Sequence, residues 1–248
     1  MNAFIRTGLA GAVLAIAVSG MAAQERGTPS DSQIQTQIEH RLAEEGIRGA
    51  TVAVREGMVT LGGTVANAWA RDEAIEQARK VDHVEAVVNA LTIARGESDE
   101  ALANAVAEKV RRYVFFSVFD DVNVAVTDGV VTLTGYVTMP YKSEAMAKLA
   151  SRVSGVQDVT DKLEVLPVSS FDDSIRYAIA VRIYNDLLFW NYAIQVNPPI
   201  HIIVQHGRVT LTGVVLSEVE RRKAEMIARG AFGVFSVDNQ LRLEKNES

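Results

Sequence analysis

Side chains that could do acid–base or metal chemistry are few in this chain. It has 248 residues, no cysteine and four histidines, His40, His83, His201 and His206. A zinc site needs three or four converging ligands, usually histidine, cysteine or acidic side chains. None of the histidines has carboxylate or thiolate company at the spacing of a metal site. The sequence therefore predicts ordinary surface or strand histidines, no metal site and no cofactor.

Paired acids are the other candidates for catalysis, at Glu44-Glu45, Asp120-Asp121 and Asp172-Asp173. General acid–base catalysis needs a carboxyl group in a setting that tunes its pKa, and adjacent positions at a helix end or in a loop do not create one. Helix capping and solubility are the better interpretation of these acids. The chain also lacks a phosphate-binding loop, a nucleophile elbow and an H-E-x-x-H helix. We predict no catalytic residues and no enzyme activity.

Residues suited to an apolar, anionic surface are concentrated in the last third of the chain. Aromatic side chains favour membrane interfaces, and each basic residue near anionic lipid contributes about 1 kcal/mol. This pattern predicts a weak, reversible lipid-docking face. The alternative, that Phe189 and Trp190 close a core, stays open. The candidate lipid-binding residues are Phe189, Trp190, Tyr192, Arg176, Arg182, Arg221, Arg222 and Lys223. A second aromatic run, residues 113–119, is predicted to pack in a core or between units.

The charge of the chain limits its partners. The formal net charge is −6, which argues against nucleic-acid binding because that function needs a basic footprint. Residues 31–95 and 98–167 each carry −3, whereas residues 171–248 carry no net charge. The last segment is therefore the one least repelled by an anionic surface. We expect a phospholipid surface or envelope proteins as partners, and no small-molecule substrate.

An internal repeat must position these residues. Residues 56–63, 128–135 and 206–213 read alike, and their first glycines, Gly57, Gly129 and Gly207, lie 72 and 78 residues apart. Such a spacing is too long for a solenoid and suits tandem small domains. The second glycines, Gly63, Gly135 and Gly213, are interpreted as structural, with a helix packed over them.

Each repeat predicts the same five elements. Alternating apolar residues flank a glycine-containing hairpin turn, and helical periodicity precedes and follows the hairpin. A third strand follows, joined by a crossover that favours a parallel pair. We predict an α+β protein of three tandem αββαβ modules, each a three-stranded mixed sheet with two helices on one face, over residues 31–95, 98–167 and 171–245. Asn89, Asp161 and Asn239 recur in the third strand and are predicted to bond the hairpin backbone.

The N-terminus has the order of an export signal. Arg6 precedes an apolar run, and small residues follow up to Ala23. We predict a cleaved signal peptide over residues 1–23, with an uncleaved membrane anchor as the alternative. The absence of cysteine excludes a lipoprotein anchor. Together with the predicted signal peptide, this indicates an exported, periplasmic protein.

The repeated motif resembles the BON domain family. The resemblance rests on the hairpin pattern Gly-x-Val-x-Leu-x-Gly and on Val-x-x-Val-x-(Asn/Asp)-x-Leu in the third strand, and it covers roughly residues 31–245 in three copies. The first copy departs from the pattern only at Gly62-Gly63, where the others have Thr-Gly. The exported, cysteine-free context resembles the osmotically inducible periplasmic branch of the family.

This resemblance implies no catalysis. It implies attachment to phospholipid surfaces or other envelope components, with a role in envelope integrity under osmotic or other stress. A periplasmic protein-interaction or chaperone-like adaptor is the alternative, because three similar units can give avidity without strong single contacts.

Overall fold

The computed structural model describes residues 29–96 and 98–244, so the predicted signal segment, residues 1–23, lies outside the described residues. Within these ranges the chain forms three modules with one order of elements: lead helix, hairpin, second helix and third strand. The predicted α+β class with three tandem mixed-sheet modules is confirmed. No helix in these ranges is both long and apolar enough to cross a bilayer.

The elements have the following bounds. Module 1 contains α1 (Asp31–Glu44), β1 (Ala50–Arg55), β2 (Met58–Val65), α2 (Ala68–Arg79), β3 (Ala86–Asn89) and β4 (Thr92–Ile93). Module 2 contains α3 (Asp99–Arg111), β5 (Asp121–Thr127), β6 (Val130–Val137), α4 (Pro140–Ser151) and β7 (Asp158–Val165). Module 3 contains α5 (Ser170–Tyr184), a 3-10 turn (Leu187–Phe189), α6 (Trp190–Ala193), β8 (Ile200–Gln205), β9 (Arg208–Val215), α7 (Glu218–Arg229), β10 (Ser236–Asn239) and β11 (Arg242–Leu243).

Each sheet is mixed around the second hairpin strand. That strand pairs antiparallel with the first and parallel with the third. In modules 1 and 3 the third strand is divided into two short pieces after Asn89 and Asn239, whose side chains accept the backbone N–H two residues on. Asp161 makes the same bond to Leu163 N at 2.9 Å. The prediction that these side chains bond the hairpin backbone is therefore wrong; each bonds its own strand.

The second glycine of each hairpin lies in the middle of a strand with positive φ. Gly63, Gly135 and Gly213 have φ of 92°, 117° and 110°. A Cβ atom at these positions would collide with a backbone carbonyl at the start of the first strand, contributed by Gly49 in module 1. The close neighbour is thus the paired strand, which corrects the prediction that a helix packs there. Glycine is needed because only it tolerates both the φ angle and the contact.

A carboxylate from the lead helix closes each hairpin turn. Asp31, Asp99 and Asp172 each accept hydrogen bonds from the two backbone N–H groups of the turn, at 2.8 to 3.2 Å. Both turn residues have positive φ, as a type I′ turn requires. The bonds are charge-assisted, so they fasten the hairpin to the helix more firmly than neutral bonds would.

Each module has its own hydrophobic core. In module 1 the core centres on Val59, Leu61 and Val65 of β2, each at most 1% exposed. Both helices cover this face, and Ala74 and Ala78 let α2 approach it closely. The same pattern of strand valines and helix alanines recurs in the other modules, because the repeat preserves both periodicities.

Module 1 docks on the loop between α4 and β7 of module 2. Gly155 N donates to Ala66 O at 2.8 Å, and Ala68 N donates to Val156 O at 2.9 Å. Ala68 is only 1% exposed and belongs to the core of module 2. The start of α2 is therefore part of two modules at once.

Module 2 covers one edge of the module 3 sheet. Ile202 N in β8 donates to Val118 O at 2.7 Å, and Val118 and Phe119 pack against the core of module 3. Phe116 packs against the core of module 2 instead. Phe116 and Phe119 thus pack in a core and between modules, as predicted for the aromatic run 113–119. The prediction is wrong for Val114 and Phe115, which are 81% and 56% exposed.

Candidate functional site

Three of the eight predicted lipid-binding residues are buried. Phe189 is completely enclosed in the core of module 3, and Tyr192 lies beside it with its hydroxyl bonded to Glu220 at 2.8 Å. Burial, reinforced by this bond, raises the pKa of Tyr192 to about 12. Arg176 is buried as well, and its guanidinium donates to Val204 O at 2.6 Å. The assignment of these three side chains to a lipid-contacting face is corrected: they close and brace the core.

The other five predicted residues reach solvent to different degrees. Trp190, Arg182 and Arg222 are exposed, whereas Arg221 and Lys223 are half-buried. Arg182 lines a shallow cavity together with Lys223 and donates to the Gly230 carbonyl at 2.9 Å. Arg182 and Lys223 therefore lie close together, Arg221 and Arg222 are grouped with Glu218 on α7, and Trp190 begins the adjoining α6 segment.

The basic residues of α7 are partly neutralised by acids. Glu218 bonds Arg221 and Arg222, and these bonds, the one from Arg221 first, lower the pKa of Glu218 to about 2. Lys223 Nζ lies 3.2 Å from Asp186. The pKa of Asp186 is lowered first by the Leu188 N–H and then by Lys223. The net field of this helix is consequently weaker than its three consecutive cations indicate.

Sequence reasoning missed several exposed apolar residues that surround Trp190. Trp190 and Ile194 are four residues apart, which brings their side chains to one side of the short α6 segment. The Leu216 N–H donates to the Tyr192 hydroxyl at 2.9 Å, so the start of α7 adjoins α6. We call this surface the apolar end of module 3. It consists of Leu187, Trp190, Ile194, Leu216 and Val219, all exposed.

A second exposed apolar surface lies near the opposite end of α5. Phe232 and Phe235 project from the α7–β10 loop and are 91% and 78% exposed. Phe171 lies against Gly233, and the Phe235 ring lies over Gly207. We call this surface the aromatic tip; Val168, also exposed, precedes α5 beside it. The loop residues that correspond to Phe232 and Phe235 are Asp82 and Glu85 in module 1, and Ser154 and Gln157 in module 2.

A cleft between modules 2 and 3 contains further polar side chains. His201 and Thr212, opposite one another on β8 and β9, line it together with Gln240 and Arg242. Burial lowers the pKa of His201, and nearby Asp121 partly opposes that shift. Neither helical periodicity nor strand alternation signals this cleft, because it forms only when the two modules meet.

Residues 29–96 and 98–244, which the structure describes, contain no group of three or more histidine, cysteine or acidic side chains placed to hold a metal ion. The buried acids that do occur have structural partners. Asp172 holds a hairpin turn, and Asp120 bonds Lys142 at 2.7 Å.

The chain is of a class built from tandem αββαβ modules that each contain the same hairpin, and its family follows from a comparison with known protein families. The BON domain model matches residues 30–95, 98–167 and 188–245, so this chain belongs to the BON domain family. The third match begins after α5, although α5 packs in the same core as the matched strands.

One curated relative shares a substantial part of the sequence. The chain is 34% identical over 125 residues to Osmotically-inducible protein Y of Escherichia coli (strain K12), a match that covers 49% of this chain and 61% of that relative. The match thus spans less than two thirds of the relative's length.

Among solved structures, the chain is similar to CdsD, a structural protein of the Type III secretion system of Chlamydia trachomatis. One CdsD structure shares 16% identity over 86% of this chain and 92% of that chain, with a TM-score of 0.25. A structure of the CdsD C-terminal domain shares 15% identity with a TM-score of 0.24.

Proposed function

We propose that this protein is a non-catalytic BON protein of the periplasm that docks reversibly on phospholipid surfaces through the apolar end of module 3. It supports the integrity of the envelope under osmotic or other stress. The export signal predicted over residues 1–23 supports the location, and the name of the osmotically inducible relative supports the link to stress.

The observation that carries this proposal is the exposure of Trp190 among aliphatic side chains. Trp190 is 58% exposed, and Leu187 three residues before it is 92% exposed. Apolar area removed from water is worth about 25 cal/mol per Å², so a few such side chains entering the interface give weak binding. Arg222 and Lys223 flank the patch and add attraction to anionic headgroups.

The charge pattern of module 3 is consistent with a shallow, salt-sensitive contact. Residues 171–248 carry no net charge, so the module approaches an anionic membrane without the repulsion that modules 1 and 2 would meet. Arg222 has 79% of its side chain exposed and can exchange Glu218 for a phosphate. Screening at high salt removes this attraction.

The tryptophan fluorescence of Trp190 can be used to test this docking. The chain has two tryptophans, and the Trp69 indole nitrogen is buried. We expect phosphatidylglycerol vesicles, but not phosphatidylcholine vesicles, to shift the tryptophan emission of the purified protein to the blue. Vesicle co-sedimentation should fall about tenfold in Trp190→Ala and in Leu187→Ser.

Tyr177→Ala is the matched control, because Tyr177 is an exposed aromatic residue on α5 away from the apolar end. It should sediment with vesicles like the unchanged protein. Binding that survives Trp190→Ala, or that drops equally in Tyr177→Ala, would disprove docking through the apolar end.

A second candidate function is a protein-interaction adaptor that uses the aromatic tip. The observation favouring it is that the equivalent loop of module 2 already binds polypeptide: it receives Ala66 and Ala68 of module 1. A photo-crosslinking residue placed at position 232 should yield a discrete protein adduct that Phe235→Asp abolishes. The same reagent at position 177 serves as control, and equal adducts from both positions would exclude the tip.

A further inference from the structure

The contact between modules 1 and 2 has two backbone hydrogen bonds at its centre. Gly155 N, in the loop between α4 and β7, donates to Ala66 O at 2.8 Å. Ala68 N, at the first residue of α2, donates to Val156 O at 2.9 Å. Gly155 and Val156 are both buried. We call the receiving loop, residues 152–157, the socket of module 2, and the inserted segment, residues 66–68, the plug of module 1.

Module 3 repeats the socket, but there the same backbone groups face solvent. Gly233 and Val234, in the loop between α7 and β10, hold the positions of Gly155 and Val156 and are only half-buried. Within residues 29–96 and 98–244, neither Gly233 N nor Val234 O makes a backbone hydrogen bond. The socket of module 3, residues 230–235, therefore has the groups that receive a plug in module 2.

Apolar side chains flank the socket of module 3. Phe232 and Phe235 of the aromatic tip are 91% and 78% exposed. In module 2 the linker after module 1 tethers plug and socket, which raises the effective concentration of their contact. A plug on a separate molecule has no tether, so its binding needs more apolar contact, at about 25 cal/mol per Å² removed from water. The two phenylalanines provide that surface.

Module 3 also carries a plug, residues 216–218. Glu218 is the first residue of α7, as Ala68 is the first residue of α2, and Leu216 corresponds to Ala66. Neither Leu216 O nor Glu218 N makes a backbone hydrogen bond within the described residues. Leu216 and Val219 are 58% and 67% exposed. The plug thus has an acceptor, a donor and apolar side chains, all accessible.

The other plug and socket of the chain match less well. Pro140 begins α4 and has no N–H to donate, so the corresponding segment of module 2 lacks half of the pair. The loop of module 1 places Asp82 and Glu85 where an apolar plug would lie. Arg221 of module 3, by contrast, holds the position of Arg71, whose guanidinium donates to the socket of module 2 at 3.1 Å.

We propose that this protein associates head to tail with a second copy of itself, the plug of module 3 in one molecule entering the socket of module 3 in the next. Leu216 O accepts from Gly233 N of the next copy, and Glu218 N donates to its Val234 O. The contact joins two different surfaces, so each added copy presents a further plug and socket. The inference rests on the adaptor role proposed for the aromatic tip and names its partner; it does not depend on lipid docking.

Sedimentation velocity of the purified protein in lipid-free buffer tests this association from about 1 μM to about 1 mM, the range of moderate to weak affinity. We expect the weight-average sedimentation coefficient to rise continuously with concentration. A coefficient that stays at the monomer value would overturn the proposal, even if vesicles still bind the protein or a crosslinker at position 232 captures a different protein.

Glu218→Pro removes the donating N–H at a position where a helix accepts proline, as Pro140 shows in α4. Glu218→Ala is the matched control, because it removes the same carboxylate and keeps the N–H. We expect Glu218→Pro to associate about tenfold more weakly, the effect of losing one buried hydrogen bond, and Glu218→Ala to associate like the unchanged protein. Equal association of the two variants would contradict the backbone pairing.

Phe232→Asp blocks the socket with the residue type that Asp82 supplies in module 1. Its control is Phe115→Asp, the same substitution at an exposed aromatic residue of module 2. We expect Phe232→Asp to remain monomeric where the unchanged protein associates, and Phe115→Asp to associate normally. The same loss in both variants would count against the socket.

Mixing the two defective variants distinguishes head-to-tail contact from any symmetric one. Glu218→Pro keeps its socket and Phe232→Asp keeps its plug, so an equimolar mixture retains one intact contact. We expect this mixture to form a dimer of one copy of each variant that grows no further. A mixture as monomeric as the separate variants would overturn the proposal.

Discussion

Asp120 and Lys142 form an ion pair inside module 2, with Lys142 Nζ 2.7 Å from Asp120 Oδ2 and both side chains at most 7% exposed. Asp120 also accepts four bonds from the backbone N–H and hydroxyl groups of Ser117 and Thr138. The pair joins the loop before β5 to the start of α4. Ala70 and Glu220 hold the corresponding helix position in modules 1 and 3, so this fastening is particular to module 2.

Lys142→Met should destabilise module 2 by about 3 kcal/mol, because removing one partner leaves a buried charge uncompensated. Urea unfolding followed by circular dichroism measures this loss. Lys148→Met, on the exposed side of the same helix, is the control and should change the free energy of unfolding by less than about 0.5 kcal/mol. Equal effects of the two substitutions would show that the pair contributes nothing.

The hairpin carboxylates offer a comparison between modules. Asp172 is 2% exposed, whereas Asp31 makes the same two bonds closer to water. Asp172→Ala should cost about 2–3 kcal/mol, since hydrogen bonds to a charged group contribute about 1.5–3 kcal/mol and the turn N–H groups would be left buried. Asp31→Ala should cost distinctly less, because water can replace the carboxylate. Hydrogen exchange of the Gly207 amide reports the turn held by Asp172, and that of the Gly57 amide reports the turn held by Asp31. We expect the Gly57 amide to exchange faster than the Gly207 amide.

Acid should weaken the contact between modules 2 and 3 through His201. The folded state lowers the pKa of His201 by burial, so the unfolded chain binds more protons as pH falls below about 6.5. This contribution to stability is complete above pH 6.5 and is lost as pH falls toward the lowered pKa. His201→Gln should flatten this part of the pH profile of urea midpoints, and His40→Gln, on the exposed face of α1, should leave it unchanged. A profile identical in all three proteins would contradict the assignment.

Ala68→Glu should separate module 1 from module 2 without unfolding either. Ala68 is buried in the core of module 2, and a carboxylate placed there would have no partner. Small-angle scattering should show a larger radius of gyration, and limited proteolysis should become faster near residues 94–98. Arg79→Gln, on an exposed position at the other end of α2, is the control; an extended shape in both variants would refute a specific role for Ala68.

The three hairpins and their following helices were predictable because each carries a complete local signal: alternation, a turn glycine and a cap. The lead-helix carboxylates were not, because their bonds join residues separated by 25 to 35 positions. Phe189 and Tyr192 look the same in sequence whether they face lipid or core. Module 3 inserts the 3-10 turn and α6 between its lead helix and its first strand, and this insertion directs both rings inward while leaving Trp190 outside.

The apolar end and the aromatic tip lie beyond opposite ends of α5, a helix of 15 residues and therefore about 22 Å long. Neither surface shields the other, so whatever engages the first does not compete with whatever engages the second. A partner bound at each surface would therefore be held by one module, at a separation set by the length of α5.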